Sequence, residues 1–454
     1  MKIQLINPPL NKDYSLSLRT GIYAPLNLAT LAGYIKHNNS SLEVEILDGE
    51  MESWEILLIK INAPIVGISC NLMTYKTALE IAKVAKQKGS LVIFGGPFAT
   101  SMPEKIVKNQ SFIDAVVVGD GEKAMLDIVN GKGFKEIPNL VFRRNGQIIK
   151  TRRTITNLSS LPLPDYSSLN MQEYFSNYKS RYGNHKPFNG SLAISSIKGC
   201  EWRDSSGDGC IFCMIPNKGV QYCNPERMWK EIEHFNLKYG VDYFWDVSDS
   251  FVDNNEWLEK FKDAKPSHLN PRFEIYGRAN RINDRKAKLL KDIGVFEVFI
   301  GAESGDDEIL KNINKPVSKE LVLRAIRALA KYDIRVTVSF VIGLPGETKK
   351  SLSKTISFSE ELAKYKNVIE TSTSVMMPIP GSRAFKNLMK IPEVAIKYST
   401  DLFNLEGLRA EWIKHFTCLN YSDLEKATND ITSMFELNSD FAQPKHKYIS
   451  SPCC

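Results

Sequence analysis

Three cysteines in a short stretch, Cys200, Cys210 and Cys213, have the residue type and spacing of a metal centre. They follow an apolar run, residues 192–197, that is predicted to be a strand, so the loop leaving the strand can wrap three thiolates around one object. Soft thiolate ligands favour iron–sulfur clusters or zinc. A structural zinc normally has four protein ligands, but Cys223 lies ten residues further on and no histidine is near. The pattern therefore predicts a metal held by three cysteines, with one position open.

The three cysteines resemble the cluster motif of the radical S-adenosylmethionine (SAM) superfamily, whose pattern also includes an aromatic residue at the position of Phe212. The resemblance implies that the cysteines hold a 4Fe–4S cluster and that the amino and carboxylate groups of SAM chelate its fourth iron. The first gap departs from the common form, because it has nine residues instead of three. These residues, 201–209, are polar and contain glycine, and are expected to form a flexible loop extension. Three buried structural thiols are the alternative interpretation.

The first part of the chain alternates short apolar runs with helical stretches, which predicts a parallel, doubly wound, Rossmann-like sheet. The predicted strands are residues 3–6, 44–47, 65–69, 91–94 and 115–118, and the predicted helices include 26–36, 75–88 and 104–107. Ligands of such sheets bind outside the carboxyl ends of the strands. The loops expected there contain several glycines, which allow close approach of a bulky ligand.

The order of these loops resembles the cobalamin-binding domain that precedes many radical SAM cores, above all in the segments Gly-Gly-Pro and Gly-Asp-Gly-Glu. The resemblance implies cobalamin contacts from residues at the loop positions: Pro8, Asp48, Ser69, Asn71, Gly95, Gly96, Gly119, Gly121 and Glu122. The Asp-x-His-x-x-Gly motif of other cobalamin proteins is absent, so the lower face of the cobalt is expected to lack a histidine ligand. A sheet that only packs against the core and binds nothing is the alternative.

A βα rhythm resumes after residue 190 and predicts a partial (β/α)6 barrel of the TIM type, as in radical SAM cores. The predicted strands are residues 192–197, 243–247, 273–276, 298–300, 336–342 and 370–376, and the predicted helices include 226–238 and 319–332. The sequence thus predicts an α/β protein with four parts: a cobalamin-binding domain (1–130), a connector with an Asn-Gly hairpin (131–190), a radical SAM core (191–390) and a small helical C-terminal region (391–454).

Motif position within the resemblance assigns SAM contacts to the barrel loops. Asp249, with Ser248 or Ser250 assisting, follows the second strand and is expected to hold the amino group of SAM. Arg278 follows the third strand, and its guanidinium suits the SAM carboxylate. Glu303, with Ser304 nearby, follows the fourth strand and is expected to accept hydrogen bonds from the ribose. Each residue also has an ordinary structural explanation, such as a helix cap or a surface carboxylate.

Charge and composition limit the partners. The net charge of +7 is spread along 454 residues, and no basic RNA-binding module is visible, so nucleic acid is not an expected partner. No apolar run reaches the length of a membrane span, and no signal peptide is recognised. Cysteines gathered at one site, in a chain without a recognised export signal, favour a reducing cytoplasm. The adjacent Cys453 and Cys454 are expected to belong to a disordered tail or to bind a soft metal.

The resemblance implies a cobalamin-dependent radical SAM enzyme, in which reductive cleavage of SAM yields a 5′-deoxyadenosyl radical that abstracts hydrogen from an unactivated carbon. Methyl transfer from cobalamin to that carbon is the default outcome, with a small molecule, peptide or lipid as substrate and an external electron donor such as flavodoxin or ferredoxin. The alternatives are a radical rearrangement, cyclisation or oxidation without methyl transfer, and a structural or regulatory zinc protein.

Overall fold

The computed structural model describes residues 1–10, 21–183, 186–215, 219–398 and 404–436. The chain forms two compact units, Met1–Gly183 and Asn184–Cys454. Cys453 and Cys454, for which a disordered tail or a soft-metal site was predicted, lie outside the described residues. No helix in the described ranges is long and apolar enough to cross a membrane.

The first unit is built on a seven-stranded sheet whose first five strands are parallel. Its strands are β1 (Lys2–Asn7), β2 (Glu43–Asp48), β3 (Ile65–Ser69), β4 (Leu91–Gly95), β5 (Ala115–Val117), β6 (Leu140–Arg144) and β7 (Gln147–Lys150). The spatial order is β2-β1-β3-β4-β5-β6-β7. Because the order reverses at β1, right-handed crossovers place helices on both faces, and a crevice opens outside the carboxyl ends of β1 and β3. The predicted doubly wound sheet is confirmed.

The helices of this unit are α1 (Leu26–Asn38), α2 (Trp54–Lys60), α3 (Tyr75–Gln87), α4 (Gly96–Ser101), α5 (Pro103–Asn109), α6 (Glu122–Val129) and α7 (Met171–Tyr182), with a 3-10 turn at Leu158–Ser160. The Asn-Gly hairpin forms as predicted, with Asn145 and Gly146 at φ 50° and 77°. It extends the first sheet through antiparallel pairing of β6 with β5, whereas the sequence analysis placed it in a separate connector. The difference arises because the free edge of β5 offers unpaired backbone groups that the hairpin satisfies.

The second unit contains a sheet of six parallel strands arranged in chain order. The strands are β8 (Ser191–Ile194), β11 (Tyr243–Asp246), β12 (Arg272–Gly277), β13 (Val295–Glu303), β14 (Arg335–Ile342) and β15 (Val368–Val375). A separate antiparallel pair joins β9 (Ile197–Lys198) to β10 (Gln221–Tyr222). When consecutive parallel strands are neighbours, every right-handed crossover lies on the same face, so the sheet curves with helices outside and the opposite face inside. The predicted partial barrel is confirmed.

Helices alternate with these strands and complete the C-terminal part. They are α8 (Glu201–Ser206), α9 (Pro225–Tyr239), α10 (Asn255–Asp263), α11 (Asp284–Ile293), α12 (Asp307–Asn312), α13 (Lys319–Ala330), α14 (Lys349–Leu362), α15 (Arg383–Leu388), α16 (Pro392–Lys397), α17 (Leu405–Phe416) and α18 (Tyr421–Glu436), with a 3-10 turn at Ala279–Arg281. The outer face of the sheet is buried. Its apolar residues include four with no exposed surface, Ile275, Val298, Val336 and Val338. This burial supplies the main stabilisation of the barrel and leaves its inner face and carboxyl-end loops for function.

Candidate functional site

The loop that leads to Cys200 is fixed by two carboxylates, one at the last residue of β11 and one shortly after it. Asp246 has no exposed surface and accepts hydrogen bonds from the backbone N–H and the hydroxyl of both Ser196 and Ser248. Burial raises the pKa of Asp246, while these hydrogen bonds act in the opposite direction. Asp249 Oδ2 accepts from the N–H of Gly199 at 2.8 Å. The backbone that delivers the first cysteine is therefore held on the end of β11 before any cofactor binds.

The three thiols lie together and are only partly accessible. Cys200, Cys210 and Cys213 are each half-buried, and the N–H of Cys213 donates to the carbonyl of Cys210 at 3.1 Å. Burial, and then the neighbouring Cys210, raises the pKa of Cys213 to about 12, so metal binding here must displace protons. Within the described residues, no three Cys, His, Asp or Glu side chains converge as closely as a single metal ion requires.

The prediction of a flexible extension between Cys200 and Cys210 is wrong. Residues 201–206 form helix α8, which starts from extended backbone at Cys200 and ends at Gly207, whose φ is 80°. Two acidic residues, Glu201 and Asp204, lie in the first turn, where the helix dipole favours negative charge. Glu201 also accepts a hydrogen bond from Tyr222 OH at 2.6 Å. Polar composition alone misled the prediction, because the helix is stabilised by contacts outside its own sequence.

Two of the residues assigned to SAM, Asp249 and Ser250, lie beside the cysteine loop and have polar atoms that a ligand can bind. Asp249 is exposed, and one of its carboxylate oxygens is used by Gly199. Ser250 is 2% exposed, and its hydroxyl has no hydrogen-bond partner among the described residues. A buried hydroxyl without a partner costs free energy, so a ligand that supplies one would be favoured. Phe212, the aromatic of the motif, lies under the ammonium group of Lys315, 5.9 Å from the ring centroid.

Arg278 and Ser304 are already engaged by protein groups. The guanidinium of Arg278 pairs with Asp253, whose side chain is fully buried, with Nη2 and Oδ2 2.6 Å apart. Ser304 is fully buried, lies 3.2 Å from the hydroxyl of Thr355 and accepts a hydrogen bond from the N–H of Asp306. The assignments of Arg278 to the SAM carboxylate and of Ser304 to the ribose stay predictions.

Glu303 is the most unusual of the assigned residues. It ends β13 with a φ of 61°, in the left-handed region that a residue with a side chain rarely adopts. The register with β14 shifts between Gly301 and Glu303, so the strand bulges at this point. Such backbone strain is concentrated at functional sites, where it re-aims a side chain. The bulge turns the Glu303 carboxylate onto Lys315, with 2.6 Å between Oε1 and Nζ.

Lys315 is a candidate site residue that the sequence analysis missed. Burial alone would lower its pKa, but the Glu303 carboxylate and the Cys210 thiolate raise the pKa above its ordinary value. Its side chain is 13% exposed. The ammonium group thus lies between the Glu303 carboxylate, which was assigned to the ribose of SAM, and the cysteine thiols that were assigned to the cluster. The only local signal was a polar Asn-x-Asn-Lys turn after α12, which has no chemistry of its own.

The Gly-Leu-Pro-Gly-Glu-Thr loop after β14 is organised by a buried carboxylate. Glu347 has no exposed surface, and its Oε2 accepts from the N–H groups of Gly343 and Leu344 at 2.5 and 3.2 Å. Thr348 caps α14 together with Ser351, whereas Glu347 turns back into the loop. Burial raises the pKa of Glu347 from 4.5 to about 7.

We expect Glu347→Gln to flatten the pH dependence of stability between pH 5 and 7. Because the folded-state pKa is raised, the protonated carboxyl favours folding at low pH, and this contribution is lost as the pH rises to about 7. The raised pKa corresponds to about 3 kcal/mol at ~1.4 kcal/mol per pH unit. Thermal unfolding at several pH values measures the effect, with Glu256→Gln as the control because the Glu256 side chain lies on the exposed face of α10. An unchanged slope in Glu347→Gln would contradict the prediction.

The inner face of the barrel has an aromatic side and a hydroxyl side. Alternate residues of a strand point to opposite faces, so the neighbours of the buried outer residues point inward. Tyr276 contacts Trp245 and Phe299 with ring centroids 6.2 and 5.2 Å apart, and all three are partly exposed. On β14 and β15 several inward positions carry hydroxyl groups, at Thr337, Ser339, Ser372 and Ser374, and the Thr337 hydroxyl donates to Glu297 at 2.8 Å.

In the first unit, several predicted cobalamin residues gather at the carboxyl ends of β1, β3 and β4. Ser69 lies at the end of β3 and its hydroxyl accepts from Asn27 at 2.8 Å. Pro8 follows β1 and is buried, and Gly95 ends β4 with nothing within 4 Å of the position a Cβ would take. Gly96 differs, because at φ 90° its Cβ would lie 2.6 Å from the carbonyl oxygen of Cys70. Gly95 therefore borders open space, whereas Gly96 packs against the neighbouring loop.

Other predicted cobalamin residues have structural partners. Asp48 is 2% exposed and accepts hydrogen bonds from Tyr174 OH at 2.6 Å and from Asn7 at 2.8 Å. The side-chain oxygen of Asn71 accepts from the N–H groups of Met73 and Thr74 at the start of α3.

The remaining loop residues lie at the end of β5. Gly119 has a φ of 78° and donates its N–H to Thr100, and Gly121 and Glu122 begin α6. Thr156 OH donates to Glu122 at 3.2 Å. The described part of the first unit has one histidine, His37, in the last turn of α1 and thus at the opposite edge of the sheet.

Family models match both units. The model of the radical SAM superfamily matches residues 194–359, and the model of the B12-binding domain matches residues 17–129. An uncharacterized methyltransferase of Pyrococcus horikoshii is 27% identical over 403 residues, which cover 85% of this chain and 83% of that protein.

Two solved structures share the fold. The radical SAM methyltransferase TsrM from Kitasatospora setae, with cobalamin and a 4Fe–4S cluster bound, aligns with a TM-score of 0.65 at 17% identity, over 86% of this chain and 75% of its own. The cobalamin-dependent SAM radical enzyme OxsB, with aqua-cobalamin and SAM bound, aligns with a TM-score of 0.66 at 16% identity, over 91% of this chain and 56% of its own. The chain therefore contains a radical SAM domain at residues 194–359 and a B12-binding domain at residues 17–129, and is an enzyme whose cofactors are SAM, an iron–sulfur cluster and cobalamin.

Proposed function

We propose that the protein is a cobalamin-dependent methyltransferase that acts on an unactivated carbon and holds a 4Fe–4S cluster on Cys200, Cys210 and Cys213. The observation that carries the proposal is the three-thiol loop, pinned by Asp246 and Asp249 at the carboxyl end of a parallel barrel. Methyl transfer is supported by the similarity to the Pyrococcus horikoshii methyltransferase, which extends over most of both chains.

The cluster and SAM, when bound, supply one-electron chemistry that ordinary acid or base side chains cannot perform. The role of the chain's own residues is to bind SAM and to orient it. Asp249 and the unpartnered hydroxyl of Ser250 suit the amino group of SAM, and Lys315 places a positive charge near Cys210. Lys315 is a second candidate, beside Arg278, for the SAM carboxylate, because Arg278 is already paired with Asp253. Glu303 stands next to Lys315 and keeps its proposed role at the ribose.

We propose that the substrate lies against the inner face of the barrel. The rings of Trp245, Tyr276 and Phe299 offer an apolar wall, and the hydroxyl groups of β14 and β15 offer hydrogen bonds on the other side. Such a surface excludes water from a reacting carbon while it orients the polar groups of the molecule.

The corrinoid is proposed to lie in the crevice at the carboxyl ends of β1, β3 and β4, where Gly95 borders open space. We expect Gly95→Ala to weaken retention of hydroxocobalamin by about tenfold, or ~1.4 kcal/mol, because the added methyl group separates the backbone from the flat ring. The unfolding free energy should change by less than about 1 kcal/mol, since the site has room for a Cβ.

Gly96→Ala is the contrasting variant. Its Cβ would meet backbone atoms of Cys70 at 2.6 and 2.8 Å, at a φ of 90°, so we expect a loss of stability of about 2 kcal/mol or more. Corrinoid absorbance after desalting and urea unfolding measure the two effects. If Gly95→Ala retains corrinoid as the wild type does, the proposed position of the ring is wrong.

Anaerobic reconstitution with iron, sulfide and hydroxocobalamin tests the function. Under reducing conditions, with SAM labelled in its methyl group and candidate substrates, the proposal expects 5′-deoxyadenosine and a product that carries the label. Product without the label would support a rearrangement, cyclisation or oxidation instead. Zinc without iron and sulfide would overturn the radical mechanism.

A further inference from the structure

The long gap between the first two cysteines raises a physical problem. Ten peptide steps separate Cys200 from Cys210, and an extended chain of that length spans more than about 30 Å. The connecting chain is therefore too long to hold the two thiols at the distance that one cluster requires. Some other part of the molecule must fix the second cysteine relative to the first.

The segment that follows α12, Ile313–Asn314–Lys315, contacts the gap at both of its ends. The indole Nε1 of Trp202, near the start of α8, donates to the carbonyl of Asn314 at 2.8 Å. The side-chain amide of Asn314 donates to the carbonyl of Gly209 at 2.8 Å. The N–H of Ile211 donates to the carbonyl of Ile313 at 3.0 Å. These bonds bracket Cys210 on both sides and tie it to the helix that begins after Cys200.

Asn314 is suited to this position by its backbone. Its φ of 55° lies in the left-handed region, which asparagine tolerates better than most residues with a side chain. In this conformation its carbonyl reaches Trp202 while its side chain reaches Gly209. The next residue, Lys315, is fixed by its ion pair with Glu303 at the end of β13. The segment is thereby anchored to the barrel and can serve as a fixed reference for the cluster loop.

We propose that Asn314 and Trp202 are positioning residues that hold Cys210 at a set distance from Cys200 and so determine how firmly the cluster is retained. The inference rests on the proposed ligation of the cluster by the three cysteines. In this arrangement the extra residues of the gap form a braced helix, and the braces replace the constraint that a short gap would provide. The same segment also brings the ammonium group of Lys315 next to the motif aromatic, Phe212.

Two substitutions remove one hydrogen bond each and preserve the backbone. Asn314→Gly keeps the left-handed conformation and deletes the amide, and Trp202→Phe keeps an aromatic ring and deletes the N–H. Asn145→Gly is the matched control, because Asn145 has a φ of 50° in an exposed hairpin turn of the first unit. The full-length proteins are reconstituted anaerobically, and iron loss to a chelator is followed by absorbance. Electron paramagnetic resonance of the reduced cluster reports on its environment.

We expect both variants to lose iron about fivefold faster than the wild type, the effect of one ordinary hydrogen bond. The control should lose iron at the wild-type rate. In the metal-free protein, alkylation of Cys210 should also be about fivefold faster in Asn314→Gly, a readout that is independent of the cluster. Wild-type rates of iron loss and alkylation in both variants would overturn this inference and leave the proposed function intact. A wild-type protein that binds no cluster would overturn both.

Discussion

Replacement of Cys213 by alanine should reduce iron and sulfide to background after reconstitution and abolish SAM cleavage. The wild type should hold about four irons per chain, the content of a 4Fe–4S cluster. Cys213 is half-buried beside Cys210, and burial holds its thiol in the protonated form without metal. A cluster left with two cysteines would have two irons without protein ligands. Iron analysis, sulfide analysis and chromatography of 5′-deoxyadenosine measure the outcome.

Cys418→Ser is the control for this prediction. Cys418 is an exposed free cysteine that follows α17 and lies outside the motif, so its removal should leave iron content and SAM cleavage unchanged. Cys223→Ala is less suitable, because Cys223 has no exposed surface and its loss would disturb packing. Retention of a full cluster in Cys213→Ala would contradict the assignment of the ligands.

The alternation of apolar runs was sufficient to predict the parallel strands of both sheets, because strand period and crossover handedness are properties of local sequence. Residues 65–69 and 336–342, for example, fall on β3 and β14. The loops at the strand ends followed from the same topology. Periodicity could not predict which loop carboxylates are already hydrogen-bonded to other groups of the protein. Asp249 and Asp48 look alike in sequence, yet one is exposed and the other is enclosed by Tyr174 and Asn7.

The least predictable features depend on contacts between residues distant in sequence. Helix α8 was expected to be a flexible extension because its composition is polar, but Trp202 is held by Asn314, 112 positions away. Lys315 becomes a site residue only because a bulge in β13 turns Glu303 toward it. Neither a bulge nor a left-handed asparagine has a reliable local signature, so these contacts require the folded chain.

We expect Glu303→Gln to destabilise the second unit by about 3–5 kcal/mol, because it leaves the buried ammonium group of Lys315 without its partner. The two side chains are 6% and 13% exposed, and their charged atoms are 2.6 Å apart. The single variant Lys315→Met leaves a buried carboxylate and should cost a similar amount. The double variant should recover much of the loss, since neither buried charge remains. Urea unfolding of the four proteins gives the coupling energy directly.

The exposed pair of Lys288 and Asp292 on α11 provides the comparison. Its side chains are 63% and 43% exposed, so Lys288→Met should leave the unfolding free energy almost unchanged. SAM binding by the double variant shows whether the pair has a role beyond stabilising the fold. If Lys315 only balances Glu303, the double variant should bind SAM as the wild type does. If the ammonium group and the carboxylate also contact SAM, the restored fold should still bind SAM at least about tenfold more weakly, or ~1.4 kcal/mol. Coupling near zero in the unfolding cycle would contradict the stabilising role of the ion pair and would remove the reason for the strained backbone at Glu303.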